Sequence, residues 1–334
     1  MPRRVKARPG PPGAVGSGLD GASSLVLEAL QYGMAPGPEP FDGAASPLGM
    51  DAESLLREAR RLRRAGIIRR IGISLHPRSL GGASALVLAA VPGDRAMEYA
   101  RVVSSSSGGR SKHSYVRSFP RYNLWFTYRA RGPESLLEEI GGLLSPLGVD
   151  DYVVLTTARV CKLSVKYDLE RGTSWSQPGV LPEDPPLLGE LGVDRALARR
   201  LQDLPVSRRP FRELAAEVGE TEEGLLDLVG EMFSRGAAVD FGAVLDPEAI
   251  GFRHGAVVMG SGGAAECERV ATLAPEATHA ILREPAGGAR WDLRVYFVIQ
   301  ARRREDVEAA AGRAAELAGI GERELAYGEG GITL

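Results

Sequence analysis

The sequence predicts an α+β protein made of two copies of one unit, each a winged helix-turn-helix followed by a ferredoxin-like βαββαβ sheet domain. The first observation is the order of patterns in the first half, where helical spacing of apolar residues gives way to strands alternating with helices. The second is a repeat, because Phe41 and Gly72 recur as Phe211 and Gly242 at a constant offset of 170 residues. A chain of 334 residues is also long enough for several domains that each bury a core.

The predicted domains follow from where these patterns begin and end. They are a flexible basic arm at 1–18, a first helix-turn-helix at 19–80, a first sheet domain at 81–170, a linker at 171–192, a second helix-turn-helix at 193–250 and a second sheet domain at 251–334. We interpret 171–192 as a linker because it is rich in proline and has no sustained periodicity.

Composition is that of an ordinary globular protein and excludes several classes. The chain is 44% hydrophobic and 25% charged with a formal net charge of −2, so any nucleic-acid affinity would need a local patch. Cys161 and Cys267 have no metal-ligand spacing, and we expect both to be reduced in a cytoplasm. We predict no metal site. We also expect no membrane partner, because the apolar runs fall far short of the roughly 18 residues of a span.

The first helix-turn-helix is predicted from its caps and breakers. Asp20 is placed to cap a helix that the proline- and glycine-rich run at 34–40 ends. A short segment at 41–48 follows, and Asp51 then caps a second clear helix that closes at Gly66. The β-branched strand straight after it completes the outline of a winged motif.

The first sheet domain is predicted from alternating strand and helix patterns. The strands are expected at 84–91, 113–116, 122–129 and 152–167, and the helices at 93–104 and 133–144. An antiparallel sheet of this kind leaves one face free for a partner or ligand. The sheets of the two copies are expected to meet across a pseudo-twofold axis, so the chain imitates a dimer.

The two copies differ in charge. Residues 51–78 hold eight arginines against three acids, whereas 220–248 hold eight acids against one arginine. A reader of DNA that uses two equivalent helices needs cations on both, so DNA is not an expected partner. The arginines of the first copy suit either a solvated face or pairing with the other copy.

The stretch 112–126, KHSYVRSFPRYNLWF, combines a histidine with cations and aromatic rings. His113, Arg117, Arg121 and Tyr122 supply groups that suit a flat, acidic ligand. The same residues also suit an edge hairpin with a solvated basic face. Near the end of the first copy Arg159, Lys162 and Lys166 add cations, while the second copy ends in GEGGITL with none, so an anion site would be built mainly by the first copy.

The order of elements resembles the Lrp/AsnC transcription regulators, and the details resemble the siroheme decarboxylases more closely. The matching segments are GIIRRIGISLHPRSLG at 66–81, SKHSYVR and RYNLWFT within 111–127, and TTARVCKLSVKYDL at 156–169. The second copy keeps His279, Arg283 and GAVLDPEAIGF at 242–252. In that family two related subunits pair, and the match covers both halves, so the chain resembles both subunits fused.

The resemblance implies removal of carbon dioxide from the acetate side chains at C12 and C18 of siroheme, giving 12,18-didecarboxysiroheme. The implied partners are siroheme and its product, with further self-association left open, and no cofactor is implied beyond the iron of the substrate. Because siroheme is flat and carries several carboxylates, its binder needs cations and flat walls. The predicted substrate-binding residues are Arg69, Arg70, Arg117, Arg121, Tyr122, Arg159, Lys162 and Lys166, with Tyr115, Trp125 and Phe126 as further walls.

The departing carboxylate leaves an electron pair that a proton must quench. His113 is the predicted acid, because a histidine both gives and regains a proton near neutral pH. Tyr115 and His279 complete the predicted catalytic set, with His279 either a second acid or an inherited remnant. We interpret His76 and His254 as structural, leave open an approach of either to the iron of the substrate, and assign no axial ligand. The competing hypotheses are an Lrp/AsnC-type transcriptional regulator that binds DNA and a small effector, and a tetrapyrrole-binding protein without activity.

Overall fold

The computed structural model describes residues 20–111 and 113–333, so the predicted arm at 1–18 lies outside the described residues. The described α-helices are α1 (Gly21–Tyr32), α2 (Pro40–Ala45), α3 (Ala52–Arg64), α4 (Ala96–Ser106), α5 (Pro133–Leu144), α6 (Arg195–Gln202), α7 (Pro210–Val218), α8 (Glu222–Ser234), α9 (Ala264–Leu273) and α10 (Arg304–Ala318). The described strands are β1 (Ile68–Leu75), β2 (Ala83–Ala89), β3 (His113–Arg117), β4 (Leu124–Ala130), β5 (Tyr152–Leu163), β6 (Tyr167–Asp168), β7 (Thr173–Ser174), β8 (Ala238–Leu245), β9 (His254–Gly260), β10 (His279–Pro285), β11 (Val295–Ala301) and β12 (Arg323–Thr333).

The predicted helix caps are present. The side chain of Asp20 accepts a hydrogen bond from the backbone N–H of Ser23 at 2.7 Å, and that of Asp51 accepts one from Ser54 at 2.8 Å. Each bond satisfies a backbone donor that the first turn of a helix leaves free. Within the described residues, no helix combines the length and apolar character that crossing a membrane would require.

The two helix-turn-helix units are joined through their wings. Strands β1 and β8 pair antiparallel, with Gly72 directly opposite Gly242. Helix α6 of the second copy packs on β1, and helix α1 of the first copy packs on β8. A Cβ atom on Gly72 would lie 2.4 Å from the carbonyl oxygen of Leu201, and one on Gly242 would lie 2.7 Å from that of Leu30. The sequence therefore has glycine at both crossings because no side chain fits.

The two sheet domains close into one barrel. In each copy the strands have the ferredoxin-like order, β5-β2-β4-β3 in the first and β12-β9-β11-β10 in the second. Strand β3 pairs with β12, and β10 pairs with β5, so each copy's second strand continues the sheet of the other. Eight strands thus form a ring without a free edge. The predicted fold class and pseudo-twofold arrangement are confirmed. The closure of the eight strands into a barrel was not predicted.

The barrel has an inner face that both copies share and two outer faces covered by helices. Helices α4 and α5 cover the first copy, and α9 and α10 cover the second. The barrel interior is lined by residues from both copies, among them Leu86, Leu88, Trp125, Val153, Met259 and Tyr296. Because successive side chains of a strand point to opposite faces, alternate residues of each strand reach this interior.

Two predicted segments differ from the structure. The extended region expected at 152–167 ends at Leu163, and a separate short strand, β6, begins at Tyr167. The predicted linker packs against the second copy, where Ser176 N–H donates to the carbonyl of Pro275 at 2.8 Å and β7 pairs with β11. Proline has no backbone N–H donor and interrupts helical and strand periodicity. A proline-rich segment that packs through irregular backbone hydrogen bonds therefore cannot be told by composition from a flexible linker.

The arginines of α3 are used within the chain. Arg63 forms an ion pair with Asp203 of the second copy at 2.8 Å, and Arg61 bonds Glu58 on its own helix. Arg63 of α3 therefore pairs with the turn after α6, and Arg69 on β1 pairs with Asp246 of the acidic segment of the second copy. Exposed pairs of this kind contribute about 0–1 kcal/mol each.

The pH dependence of stability should follow the buried His76. Burial, with a smaller effect of Arg78, lowers the pKa of His76 from 6.5 to about 4, and its Nδ1 accepts from the backbone N–H of Arg78 at 3.1 Å. His76 is protonated at a higher pH in the unfolded chain than in the folded one. Its contribution to the free energy of unfolding is therefore fully present above pH 6.5 and is lost as the pH falls toward 4. The expected slope is about 1.4 kcal/mol per pH unit for this proton.

Urea unfolding of the wild type and His76→Asn between pH 4.5 and 7 measures this slope. Asparagine keeps an acceptor for the Arg78 N–H but does not titrate. The free energy of unfolding of the variant should therefore depend less steeply on pH. Equal slopes for the two proteins would contradict the assignment.

Candidate active site

The barrel interior brings the two predicted histidines toward each other. Strands β3 and β10 lie on opposite sides of the ring, and each begins with its histidine. Burial, with smaller effects of the charges of His113 and Arg283, lowers the pKa of His279 from 6.5 to about 4. Ile281, two residues after His279, packs inside the barrel, and Val116, three residues after His113, packs on the helix side, so strand alternation turns both histidines toward the interior. The ring of His113 also lies parallel to that of Tyr115, with 6.2 Å between ring centres.

Each histidine is followed four residues later by an arginine on the same strand face, and the two arginines are Arg117 and Arg283. Arg283 is only 7% exposed, and its Nη1 donates to Thr157 Oγ1 at 3.2 Å and the Leu155 carbonyl at 3.4 Å. Arg117 Nη1 donates to the carbonyl of Ala326 at 3.4 Å. Within the described part of the chain, neither guanidinium has a carboxylate partner and neither Nε atom has a hydrogen-bond acceptor.

Burial has a cost for these two cations. It lowers the pKa of Arg283 to about 10 and also lowers the pKa of Arg117. Removing a charge from water without an opposite charge destabilises a protein, and natural structures usually avoid it. Two such cations in one interior indicate a site that binds an anion.

Aromatic rings lie beside both guanidiniums. The Arg117 guanidinium carbon is 4.8 Å from the ring centre of Tyr115 and 6.0 Å from that of Trp125. The corresponding distance from Arg283 to Tyr296 is 5.4 Å. These contacts hold the cations through the negative faces of the rings and leave N–H donors unused.

Aromatic rings from both copies pack together in the barrel cluster. Phe119 lies 5.7 Å from Trp125 and 6.3 Å from Trp291, and Tyr122 lies 6.1 Å from Trp291, all between ring centres. Phe126, in contrast, packs outside the barrel beneath the helices of the first copy. Strand alternation requires some of the predicted aromatic walls to point into the core, and it places Phe126 on the opposite face from Trp125.

Four predicted substrate-binding cations are neutralised within the chain. The pairs are Arg69 with Asp246 at 2.8 Å, Arg121 with Asp151 at 3.0 Å, Lys166 with Asp240 at 2.8 Å, and Arg159 with Glu268. None of these four projects into the barrel interior beside His113. A sequence shows the number of cations but not which of them already have a carboxylate partner.

Two more predicted cations donate to backbone carbonyls. Arg70 Nη1 on the wing donates to Gln202 at 2.9 Å, and Lys162 Nζ on the helix side of β5 donates to Ala274 at 3.1 Å. Burial lowers the pKa of Lys162 to about 8. Their predicted role in substrate binding stays a prediction, and the structure places both outside the interior.

The structure adds Arg283 to the site. The sequence shows it as the counterpart of Arg117 in the repeat, whereas the count of cations predicts an anion site built mainly by the first copy. The signal was the offset of 166 residues that relates both His113 to His279 and Arg117 to Arg283. A pair of residues repeated together on one strand face predicts a shared site better than a count of charges does.

Comparisons with known proteins agree with this architecture. Residues 194–237 match a family model described as the siroheme decarboxylase NirDL-like HTH domain, and 79–162 match the AsnC-like ligand binding domain. A siroheme decarboxylase of Hydrogenobacter thermophilus is 31% identical over 66% of this chain and 65% of its own length, which is less than two thirds of the relative. The siroheme decarboxylase NirD subunit of Pseudomonas aeruginosa is 34% identical over 36% of this chain and 78% of its length.

The fold as a whole is similar to that of a solved enzyme. The crystal structure of the siroheme decarboxylase NirDL matches with a TM-score of 0.62 at 22% identity and covers 93% of this chain and 92% of that one. The same enzyme has been crystallised in complex with an iron-uroporphyrin III analogue. The motifs, the relatives and the fold agree, and the chain belongs to the siroheme decarboxylase family.

Proposed function

We propose that the chain removes carbon dioxide from the acetate side chains at C12 and C18 of siroheme and releases 12,18-didecarboxysiroheme, as a carboxy-lyase of heme biosynthesis in the cytoplasm. The observation that carries the proposal is a pair of guanidiniums without carboxylate partners in the described residues, the buried Arg283 and the half-buried Arg117, on the same strand faces as His279 and His113. Family membership agrees with it, and the related NirDL enzyme has been crystallised with an iron-uroporphyrin III analogue.

In the proposed reaction the guanidiniums bind carboxylates of the substrate, and the aromatic residues of the interior contact its flat ring. The bond between methylene carbon and carboxylate breaks, carbon dioxide leaves, and the electron pair stays on carbon. A proton then converts the methylene group to methyl. His113 donates that proton and regains one from solvent. The proposed reaction needs no oxidant and no cofactor beyond the iron of the substrate.

The proposed partners are siroheme, as the ligand, and the two halves of the chain, which pair with each other. Siroheme binds where the two copies meet, so the fused chain replaces the paired subunits known among its relatives, which include alpha and NirG subunits. Tyr115, whose ring lies between His113 and Arg117, holds the catalytic histidine through ring contact. The second acetate requires a second proton, which we assign to His279.

Anaerobic incubation of the purified chain with siroheme, followed by mass spectrometry, tests the proposal. The wild type should convert siroheme to a product that lacks two carboxyl groups. His113→Ala should slow the reaction by about 100-fold or more, which is the usual contribution of a positioned acid. His254→Ala is the matched control, because His254 is exposed at the start of β9. Tight binding of siroheme without any change of mass would reject the decarboxylase activity.

A further inference from the structure

Thr278, the residue before His279, contacts the imidazole in a way that bears on which ring nitrogen carries the proton. Thr278 Oγ1 lies 2.8 Å from Nδ1 of His279 and 3.2 Å from the backbone carbonyl oxygen of Val298. The backbone N–H of Thr278 donates to this carbonyl oxygen at 2.9 Å, and the oxygen has a second lone pair for the hydroxyl proton. When the hydroxyl donates to Val298, Oγ1 has only lone pairs to offer the ring, and the proton between Thr278 and His279 belongs to Nδ1.

From this geometry we propose that Thr278 is a positioning residue that holds His279 in the tautomer with its proton on Nδ1, leaving Nε2 unprotonated on the side of the ring away from Thr278. The structural part of this inference stands alone. Its consequence for catalysis rests on the proposed function: the proton that His279 gives to substrate enters and leaves through Nε2.

The charges around His279 agree with this tautomer. The charged groups that act on its ring are Arg283 on the same strand and His113 on β3. Burial of the ring is the main reason that its pKa is lowered to about 4, and these two charges also repel a second proton. The ring is therefore neutral near pH 7, and only a neutral ring has a choice of tautomer. A substrate carboxylate beside Arg283 offsets this repulsion, and Nε2 then takes up a proton from solvent while Nδ1 stays bonded to Thr278.

The proton transfer is balanced in atoms and charge. The imidazolium gives its Nε2 proton to the methylene carbon as carbon dioxide leaves, and His279 returns to the neutral Nδ1–H form. The hydroxyl of Thr278 accepts a hydrogen bond throughout and is not consumed. A fixed tautomer spares the ring a flip between turnovers, which is how an orienting partner supports a catalytic histidine.

The two copies differ at this position. The counterpart of Thr278 at the offset of 166 residues is Lys112, which precedes His113. A protonated lysine has three donors and no acceptor, so it cannot hold an Nδ1 proton as threonine does. Thr278 therefore prepares the histidine of the second copy in a way that the sequence of the first copy does not repeat.

Nuclear magnetic resonance of the chain labelled with ¹⁵N-histidine tests the tautomer without substrate. The chain has four histidines, which single substitutions assign. At pH 7 we expect His279 of the wild type and of Thr278→Ser to carry its proton on Nδ1. Thr278→Val, which has the same shape but no acceptor, should shift His279 toward the Nε2–H form, and Thr278→Ala serves as a second variant if valine perturbs folding.

Siroheme turnover gives the second readout. Thr278→Val should slow the reaction by about 10-fold, the lower end for removing an orienting partner, and Thr278→Ser should restore it. An Nε2–H tautomer in the wild type, or an unchanged tautomer in both Thr278→Val and Thr278→Ala, would overturn the assignment of Thr278. The expected tautomers with no siroheme turnover by any protein would instead overturn the proposed function and leave the role of Thr278 in place.

Discussion

Replacing Arg283 with methionine is expected to weaken siroheme binding while making the protein more stable. The substitution removes a charge-assisted contact with a substrate carboxylate, worth about 1.5–3 kcal/mol, or roughly 10–150-fold in Kd. It also removes a buried cation with no carboxylate partner among the described residues and puts an apolar side chain of similar length in its place. Relief of that desolvation should raise the free energy of unfolding by about 1–3 kcal/mol.

Two measurements on one variant check this prediction. Absorbance titration with siroheme gives Kd, and urea unfolding without ligand gives stability. Arg121→Met is the matched control, since it makes the same chemical change at a site that is 67% exposed and paired with Asp151. The control should leave Kd within about two-fold, because exposed pairs contribute little. If Arg283→Met loses stability and keeps its affinity, this arginine is structural and the anion site is elsewhere.

Replacing Gly72 with alanine is expected to cause the largest loss of stability of any single methyl group added to the wings. The new Cβ would lie 2.4 Å from the carbonyl oxygen of Leu201 and 2.7 Å from that of Gln202, both backbone atoms that side-chain rotation cannot move. Helix α6 and strand β1 would have to separate, which opens the core that both helix-turn-helix units share. We expect a loss of about 3 kcal/mol or more, the upper range for overpacking.

The control for this substitution is Gly230→Ala within α8. No atom lies within 4 Å of a Cβ added there. Alanine in the middle of a helix should stabilise by about 0.5–1 kcal/mol relative to glycine. Thermal unfolding of both variants should therefore move Tm in opposite directions. Equal, small shifts would mean that α6 and β1 separate at little cost and that the paired wings are a loose contact.

The fold was predictable because its local signals agree with each other. Asp20 and Asp51 begin helices where their caps predict, and the repeat of Gly72 as Gly242 predicts the crossing of two equivalent strands. Closure of the barrel was not predictable, because the pairing of β3 with β12 joins residues that are more than 200 positions apart. The sequence of an edge strand does not show whether that edge is exposed to solvent or paired with a strand of the other copy.

The site was predictable in part for a related reason. His113, Arg117 and His279 are predicted from the sequence because their residue types are unusual for a sheet and recur in the repeat. Arg159 and Lys166 have the same chemistry in the sequence, yet Glu268 and Asp240 neutralise them in the fold. Ion pairing depends on residues brought together by tertiary structure, so a count of cations overstates the number available to a ligand.

The ring of eight strands also bears on why both halves occupy one chain. Neither half can close its sheet alone, because each supplies the strand that the other lacks at its edge. Fusion fixes the ratio of the halves at one to one and turns their meeting into an intramolecular event with an effective concentration of about millimolar. Identical subunits must present identical walls to a ligand, whereas these halves have been free to change separately. The sequence records such a change beside the paired histidines, where threonine precedes His279 and lysine precedes His113.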